Sequence, residues 1–268
     1  MSQNTSLKEN YSALLDAKLR TETIFVDLFN RKFEGDATAG AVKIPVRAEA
    51  SVGDYKIAEG GNLNNTETTY LTLVIDKDKY VNELLDGFVA AAVPDEMVAE
   101  RIDSAGYSMA DETDVALITL AATEGTTFTA SKKADTVYGT ITEAIQTAKK
   151  LKVKAKEMWL VVSNDYALEV INDPKFIAAS NLGDAIKQNG LLGRINGVNV
   201  YESANVPEGT DFVLGNNQFC HYVEGWKVPV HVADLADGKH IGSSAVQGRK
   251  VYGAKITKPA TVLVKKSA

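Results

Sequence analysis

The sequence predicts an α+β fold, and a long helix, a buried strand and a strand-rich C-terminal third are the features that predict it. Apolar residues at helical spacing predict the long helix over residues 94–122. Its first residues combine a proline, which suits the first helical position, with acids that face the positive end of the helix dipole: Pro94, Asp95 and Glu96. The continuous apolar segment MWLVV (158–162) predicts a strand that is buried on both faces.

Composition limits the classes of protein to which the chain can belong. Its 268 residues, 45% hydrophobic with a net charge of −6, suit one large domain or two intertwined ones. This charge gives no sign of a dedicated nucleic-acid binder, which usually has a basic face, or of docking onto an anionic membrane. The single cysteine, Cys220, excludes an intramolecular disulfide and fits a reducing cytoplasm. No signal-peptide pattern and no 18-residue apolar stretch occurs in the sequence, so we expect no membrane span.

A hairpin with a long polar tip precedes the helix. Residues 41–48 alternate apolar and polar side chains, which predicts a half-buried strand, and residues 68–76 predict its returning partner. The 49–67 segment between them is rich in glycine, asparagine and acids. Unstructured loops longer than about 12–15 residues are usually functional or disordered. Since this tip has too few apolar residues to pack on its own core, we expect another surface to hold it.

The middle of the chain predicts an α/β unit. A helix capped by Asp135 carries apolar residues up to Leu151, the buried strand follows, and Ser163 or Asn164 caps a further helix that Pro174 ends. The C-terminal third then predicts strands within residues 211–216, 220–234 and 248–266, with Pro259 marking a bend or an edge.

The glycine-rich segment 190–207 is predicted to be a hairpin and not a ligand loop. Asn196-Gly197 is a strong signal for a type I′ turn, because both residues tolerate positive φ. A phosphate-binding loop needs its glycines between a strand and a helix N-terminus. Here a strand follows the glycines, and no lysine occurs from Asn189 to Trp226.

We find no candidate catalytic residue, cofactor site or metal site in the sequence. The three histidines, His221, His231 and His240, match no metal-binding spacing. Cys220 and His221 are adjacent on a predicted strand, so their side chains point to opposite faces and cannot share a proton directly.

The order of these parts resembles the major capsid proteins of tailed bacteriophages, whose Hong Kong 97-type fold is shared with herpesvirus shells and encapsulins. The resemblance covers nearly the whole chain and is carried by MWLVVSNDYALEVINDPKF (158–176), GRINGVNVYESANVP (193–207) and VYGAKITKPATVLVKK (251–266). The second segment is similar to the family pattern G-x-I-x-G-x-P-V-x-x-S-x-x-V-P, with Asn199 where many members carry proline.

The resemblance implies a domain plan and a structural function. The plan is an N-terminal arm and helix (1–34), an E-loop (35–75), a P-domain with a spine helix (76–130), an A-domain (131–234), and C-terminal strands that return to the P-domain (235–268). The implied function is self-assembly into hexamers and pentamers that form an icosahedral head around double-stranded DNA. Such a subunit is not an enzyme and needs no cofactor. In this family the A-domain tips meet at the capsomer axes, which would place residues 177–192 there.

The resemblance also implies partners and contact residues. The E-loop residues expected to contact a neighbouring subunit are Val52, Gly53, Asp54, Tyr55, Lys56 and Ile57. Portal and scaffolding proteins and a decoration protein are the further partners implied, in a virion head assembled in the cytoplasm of a bacterial host. About thirty residues precede the E-loop, so we expect scaffolding by a separate protein. Some members form a lysine–asparagine crosslink, for which Lys56 is the natural candidate, although a surface lysine needs no such explanation.

Other interpretations remain open at this point. An encapsulin-type compartment has the same shell fold but holds an enzyme cargo, and copurified cargo would distinguish it from a DNA-filled head. An α/β enzyme with an unrecognised site is the alternative from another class, and a rigid monomer with a deep ligand pocket would support it. A tail or baseplate protein would show an all-β pattern, which the predicted helices oppose.

Overall fold

The fold contains two sheets, an extended hairpin and one very long helix. The computed structural model describes residues 23–33, 40–47, 49–58, 60–61, 67–87, 95–131, 136–174, 191–236 and 238–267. The helices are α1 (Phe25–Leu28), α2 (Asp95–Glu124), α3 (Val137–Lys150) and α4 (Asn164–Asn172). The strands are β1 (Ala41–Arg47), β2 (Thr68–Val74), β3 (Lys77–Leu85), β4 (Thr126–Thr127), β5 (Met158–Val162), β6 (Leu191–Ile195), β7 (Val198–Glu202), β8 (Thr210–Asn216), β9 (Cys220–Asp234), β10 (Ser244–Ile256) and β11 (Leu263–Lys266).

Helix α2 has the position and length that the sequence predicts for a spine. It runs for 30 residues, which corresponds to about 45 Å at the α-helical rise of about 1.5 Å per residue. Asp95 and Glu96 lie in its first turn, and Pro94 lies outside the described residues. Its C-terminal half is buried through Leu117, Ile118 and Ala121. The apolar spacing therefore identified the helix, which ends two residues beyond the predicted Ala122.

A three-stranded antiparallel sheet, in the order β3-β10-β9, lies against α2. Where β10 passes under the helix it carries Gly248, and a Cβ there would lie 3.1 Å from Sδ of Met109. Two ion pairs join the helix to β3, Lys79 with Glu112 and Arg101 with Glu83. Both pairs are about half exposed, so burial of apolar residues contributes more to this contact than the charges do.

The second sheet has six strands in the order β4-β11-β8-β5-β7-β6. Strand β5 is at its centre, parallel to β7 and antiparallel to β8, and each of its residues is buried. Met158, Leu160 and Val162 pack in one cluster with α3 and α4. Trp159 and Val161 pack in the other, with α1 and α2. The predicted burial of this strand on both faces is therefore confirmed.

Both helices of the α/β unit begin at capped residues. Helix α4 begins after Ser163, whose side chain accepts a hydrogen bond from the backbone N–H of Tyr166, as predicted. Helix α3 begins after Thr136, whose Oγ1 lies 3.0 Å from the backbone nitrogen of Gly139. The N-cap is therefore Thr136, one residue after the predicted Asp135, which lies outside the described residues. Thr136 is the residue with extended backbone angles, φ −130° and ψ 159°, that an N-cap needs.

Strands β9, β10 and β11 follow one another in sequence but lie in two different sheets. Strand β9, placed by the sequence at the end of 131–234, pairs with β10 in the three-stranded sheet along its length. Strand β10, within residues 235–268, lies in the three-stranded sheet that packs against α2. Strand β11 instead lies between β4 and β8 in the six-stranded sheet. A 3₁₀ turn at Pro259–Thr261 redirects the chain, and Val262, Leu263 and Val264 are then buried in the second sheet.

Two hairpins lie where the sequence places them. Strands β1 and β2 pair antiparallel from Ala41 opposite Val74 to Arg47 opposite Thr68. Strands β6 and β7 are joined by Asn196 and Gly197, whose φ angles of 49° and 86° are those of the primed turn. A strand follows this turn directly, so the glycine-rich segment has no geometry for holding a phosphate at a helix N-terminus.

Two glycines give opposite expectations for the free energy of unfolding. A Cβ at Gly215 would lie 2.2 Å from the Trp159 ring in the centre of the second sheet, so Gly215→Ala should destabilise the subunit by about 1–3 kcal/mol. A Cβ at Gly106 in α2 would meet no atom within 4 Å, so Gly106→Ala should stabilise it by about 0.5–1 kcal/mol. Chemical denaturation of unassembled subunits measures both changes. An equal effect of the two substitutions would contradict this packing.

Candidate intersubunit surface

The tip of the β1–β2 hairpin exposes large apolar side chains. Val52 and Ile57 are each 96% exposed and Tyr55 is 73% exposed. Gly53, Asp54 and Lys56 lie among them in the same exposed segment. Apolar residues scattered singly over a surface are normal, but three within six positions at one tip form a contiguous surface that a partner can cover.

The base of the same hairpin is fixed to the body of the protein. Val42, Ile44 and Leu73 pack with Val223 of β9 in a small core. The Ile75 backbone donates to the carbonyl of Gly40 at 2.9 Å, and Lys255 Nζ donates to the carbonyl of Thr72 at 2.9 Å. The hairpin is therefore a rigidly anchored arm with an exposed end.

The contacts that the tip makes within the described chain are weak ones. Its backbone forms a narrow turn in which the Gly60 N–H donates to the Lys56 carbonyl at 2.8 Å. Near the start of the tip, Glu49 pairs with Lys152 at 3.7 Å, with side chains 88% and 83% exposed. Ion pairs at such exposure contribute about 0–1 kcal/mol. Covering one of the exposed apolar side chains would contribute about 1.5–3 kcal/mol, which is more than this ion pair contributes.

A second exposed surface lies on the face of the three-stranded sheet opposite α2. Tyr80, Leu84 and Trp226 are 73%, 48% and 51% exposed there. Arg249 lies beneath them, with Nε 2.9 Å from Asp78 Oδ1 and its guanidinium carbon 5.4 Å from the centre of the Trp226 ring. Tyrosine, tryptophan and arginine are the residues enriched in protein interfaces. Sequence reasoning missed this surface, although Tyr80 and Leu84 share one parity of β3 and so lie on one face.

The cysteine and the neighbouring histidine do not form a nucleophile and its base. Burial raises the pKa of the Cys220 thiol to about 12 and lowers the pKa of His221 to about 4. Cys220 packs in the core beside α2, whereas the His221 ring contacts Phe33, with ring centres 5.2 Å apart. A protonated thiol and a neutral imidazole on separate surfaces suit packing and not acid–base chemistry.

The described part of the chain has neither a metal-binding cluster nor a membrane-spanning helix. No group of three or more His, Cys, Asp or Glu side chains there could hold a metal ion. Within the same residues, no helix is long and apolar enough to cross a membrane.

The fold is that of known phage capsid structures. A structure from Mycobacterium phage Che8 is similar, with 24% identity, 98% of each chain covered and a TM-score of 0.76. The capsid structure of cyanophage P-SCSP1u shares 13% identity and has a TM-score of 0.75, with 97% of this chain and 92% of that chain covered. The mature capsid of bacteriophage PhiM1 shares 15% identity and has a TM-score of 0.68, with 96% and 91% covered. None of the curated proteins matches this chain.

These likenesses show the fold, which is the Hong Kong 97-type capsid fold. The profile of the family described as "Phage capsid protein" matches residues 89–264, about two thirds of the sequence, and the chain belongs to that family. Its function is therefore that of a structural major capsid protein, which assembles into multimers in the shell of the virion. The family match gives no support to the encapsulin-type and enzyme alternatives.

The reactivity of Cys220 tests the packing around it. Because its pKa is raised to about 12, only about one thiol in 10,000 is ionised at pH 8. We expect iodoacetamide to leave the native protein unmodified at pH 8 and to alkylate it fully in guanidinium chloride, as measured by intact mass. Rapid alkylation of the native protein would show that the thiol is an accessible nucleophile.

Proposed function

We propose that the chain forms hexamers and pentamers that build an icosahedral head around a double-stranded DNA genome. The observation that carries this proposal is the anchored hairpin with its exposed apolar tip. A subunit that presents such a tip completes its packing on a second copy. Head-to-tail contacts of this kind close into rings when the rotation between copies closes.

The tip residues are proposed to lie across the neighbouring subunit of the same ring. Val52, Tyr55 and Ile57 would supply the apolar contact, and Gly53 would let the backbone approach the neighbour closely. Asp54 and Lys56 would remain at the polar rim of the contact. In the domain plan that goes with this proposal, the E-loop is 35–75, the P-domain is centred on α2, and the A-domain is the unit of α3, α4 and the six-stranded sheet.

The net charge of the subunit supports a shell that encloses the genome without binding it tightly. The chain has 29 basic and 35 acidic residues, so it gains little from counterion release on DNA. No sequence-specific reading of DNA is part of this proposal.

Further partners follow from the same function. We propose a portal protein at one vertex, a separate scaffolding protein during assembly, and a decoration protein on the finished head. Assembly in the cytoplasm of a bacterial host agrees with the single, buried, unpaired cysteine, because reduced thiols are the rule in that compartment.

Negative-stain electron microscopy of the expressed protein tests the proposal directly. We expect shells, tubes or rings of six or five subunits. A protein that stays a rigid monomer by light scattering at high concentration would contradict it.

Substitutions at the tip test the role of the hairpin. The triple variant Val52→Ser, Tyr55→Ser, Ile57→Ser removes the exposed apolar surface without touching the core. We expect its free energy of unfolding to stay within about 0.5 kcal/mol of the parent, as for surface changes generally. We expect the assembled fraction in sedimentation velocity to fall at least tenfold.

A conservative variant is the matched control. Val52→Ile, Tyr55→Phe, Ile57→Val keeps the apolar character of the tip, and we expect it to assemble as the parent does. If the serine variant assembles equally well, the tip is not an intersubunit contact.

A further inference from the structure

One buried carboxylate joins the N-terminal segment to the spine helix. Asp114 lies in the middle of α2 and is completely buried. Its Oδ1 accepts a hydrogen bond from the backbone N–H of Phe25 at 2.7 Å, and the backbone N–H of Ile24 also donates to the carboxylate. The start of α1 is therefore held by an acceptor from the spine helix.

A third part of the chain meets the same carboxylate. Asn205, in the loop that follows β7, donates from Nδ2 to Asp111 at 2.8 Å and to Asp114 at 3.5 Å. The N-terminal segment (23–30), α2 and the loop from the second sheet thus converge on two acids one helical turn apart. We call this group of contacts the Asp114 junction.

Aromatic packing and a strand-like contact complete the docking of the segment. The rings of Phe25 and Phe29 have their centres 6.2 and 6.0 Å from that of Trp159. The backbone of Asn30 bonds to the outer edge of β9. Its N–H donates to the Cys220 carbonyl at 2.8 Å, and its carbonyl accepts from the Tyr222 N–H at 3.0 Å. When the segment lifts from this site, the Asp114 carboxylate gains access to water.

Among the residues that the structure describes, no cation pairs with the negative charge of the junction. Neither Asp114 nor Asp111 forms an ion pair within the described chain. From segment 23–30 and the 203–207 loop, Asp114 receives only the two backbone N–H groups and the uncharged Asn205 amide. Lys250 of β10 contacts Thr113 instead, 3.3 Å away, and pairs with Glu224.

We propose that the Asp114 junction is a protonation-controlled latch that holds segment 23–30 on the spine helix more tightly when the carboxyl is neutral than when it is ionised. A buried carboxylate without a cation is unfavourable, and local opening relieves it by hydration. Hydrogen bonds from the segment reduce this cost without removing it. The latch is a property of the subunit itself, so its test does not depend on assembly.

The direction of the pH effect follows from which state of segment 23–30, docked or open, binds more protons. Burial and the nearby Asp111 raise the pKa of docked Asp114 from 3.8 to about 6, despite the donors that lower it. Protonation of Asp114 therefore contributes its full share of the docking free energy below about pH 4. This contribution is lost as the pH rises to about 6, and the docking free energy does not fall further above that pH. A difference of about two pKa units corresponds to about a 100-fold increase in the opening constant.

Hydrogen exchange of the full-length, unassembled protein measures this opening. The readout is the protection factor of the amides in residues 23–30, corrected at each pH for the intrinsic exchange rate. We expect protection to fall about 50-fold between pH 4 and pH 6.5 in the parent, because this window covers most of the full change. Protection that is flat or rises with pH would overturn the proposal.

Matched variants separate the latch from a simple structural hydrogen bond. Asp114→Asn is neutral at every pH, so its protection should not change across this window. Glu169→Gln, which neutralises an exposed carboxylate on α4, should behave as the parent does. A fall in Asp114→Asn as large as that of the parent would assign the effect to another group.

A second variant keeps the test decisive if Asp114→Asn does not fold. Asp111→Asn retains the latch carboxylate but removes the neighbouring charge that raises its pKa. The midpoint of the fall in protection should therefore move to lower pH. A midpoint that is unchanged or higher would overturn the proposal.

Discussion

The architecture depends on the burial of β5 on both of its faces. Its alternate side chains belong to two different cores, one with α3 and α4 and the other with α1 and the end of the spine helix. Because five consecutive residues are buried, neither core can form fully without the other. Trp159 is the largest contributor, and Gly215 on the adjacent strand has no side chain because the indole ring occupies that space. The two sheets are joined through this strand, which gives the subunit a rigid body.

The β1–β2 hairpin differs from the buried β5, because only its base is packed within the subunit. This difference is the basis of the proposed function. Its base is packed and hydrogen-bonded to β9 and β10, whereas Val52, Tyr55 and Ile57 at the tip are exposed. A protein selected to work as a monomer gains nothing by presenting such a tip on a rigid arm. In the proposed shell, the exposed apolar side chains of this tip would form a contact between subunits. The family match agrees with a structural role in a shell.

Local patterns predicted the elements well, because their signals lie within short segments. The five-residue apolar stretch identified β5, and the spacing of apolar residues identified α2. Asn196-Gly197 identified the turn between β6 and β7, because both residues tolerate positive φ. The sheet to which β9 and β11 belong could not be predicted in this way. That choice depends on pairing between residues far apart in sequence, such as Leu263 with Leu214, which no local period encodes.

The candidate site was predictable only in part for the same reason. The polar tip was visible as an overlong loop, but the surface around Trp226 and Tyr80 needs three strands to be brought together. Asp114 occupies a position between Asp111 and Leu117 in a helix rich in acids, so nothing in the sequence distinguishes it from a solvated residue. Its burial becomes visible only when the N-terminal segment is placed over it.

The location of β11 has a consequence for synthesis of the chain. This strand, at residues 263–266, lies between β4 and β8, so the six-stranded sheet lacks an interior strand until residue 266 has left the ribosome. The backbone edges of β4 and β8 that pair with β11 have no strand partner while translation continues towards that residue. Closure of this sheet therefore depends on synthesis of the segment that contributes β11, and a product truncated before residue 263 lacks one interior strand.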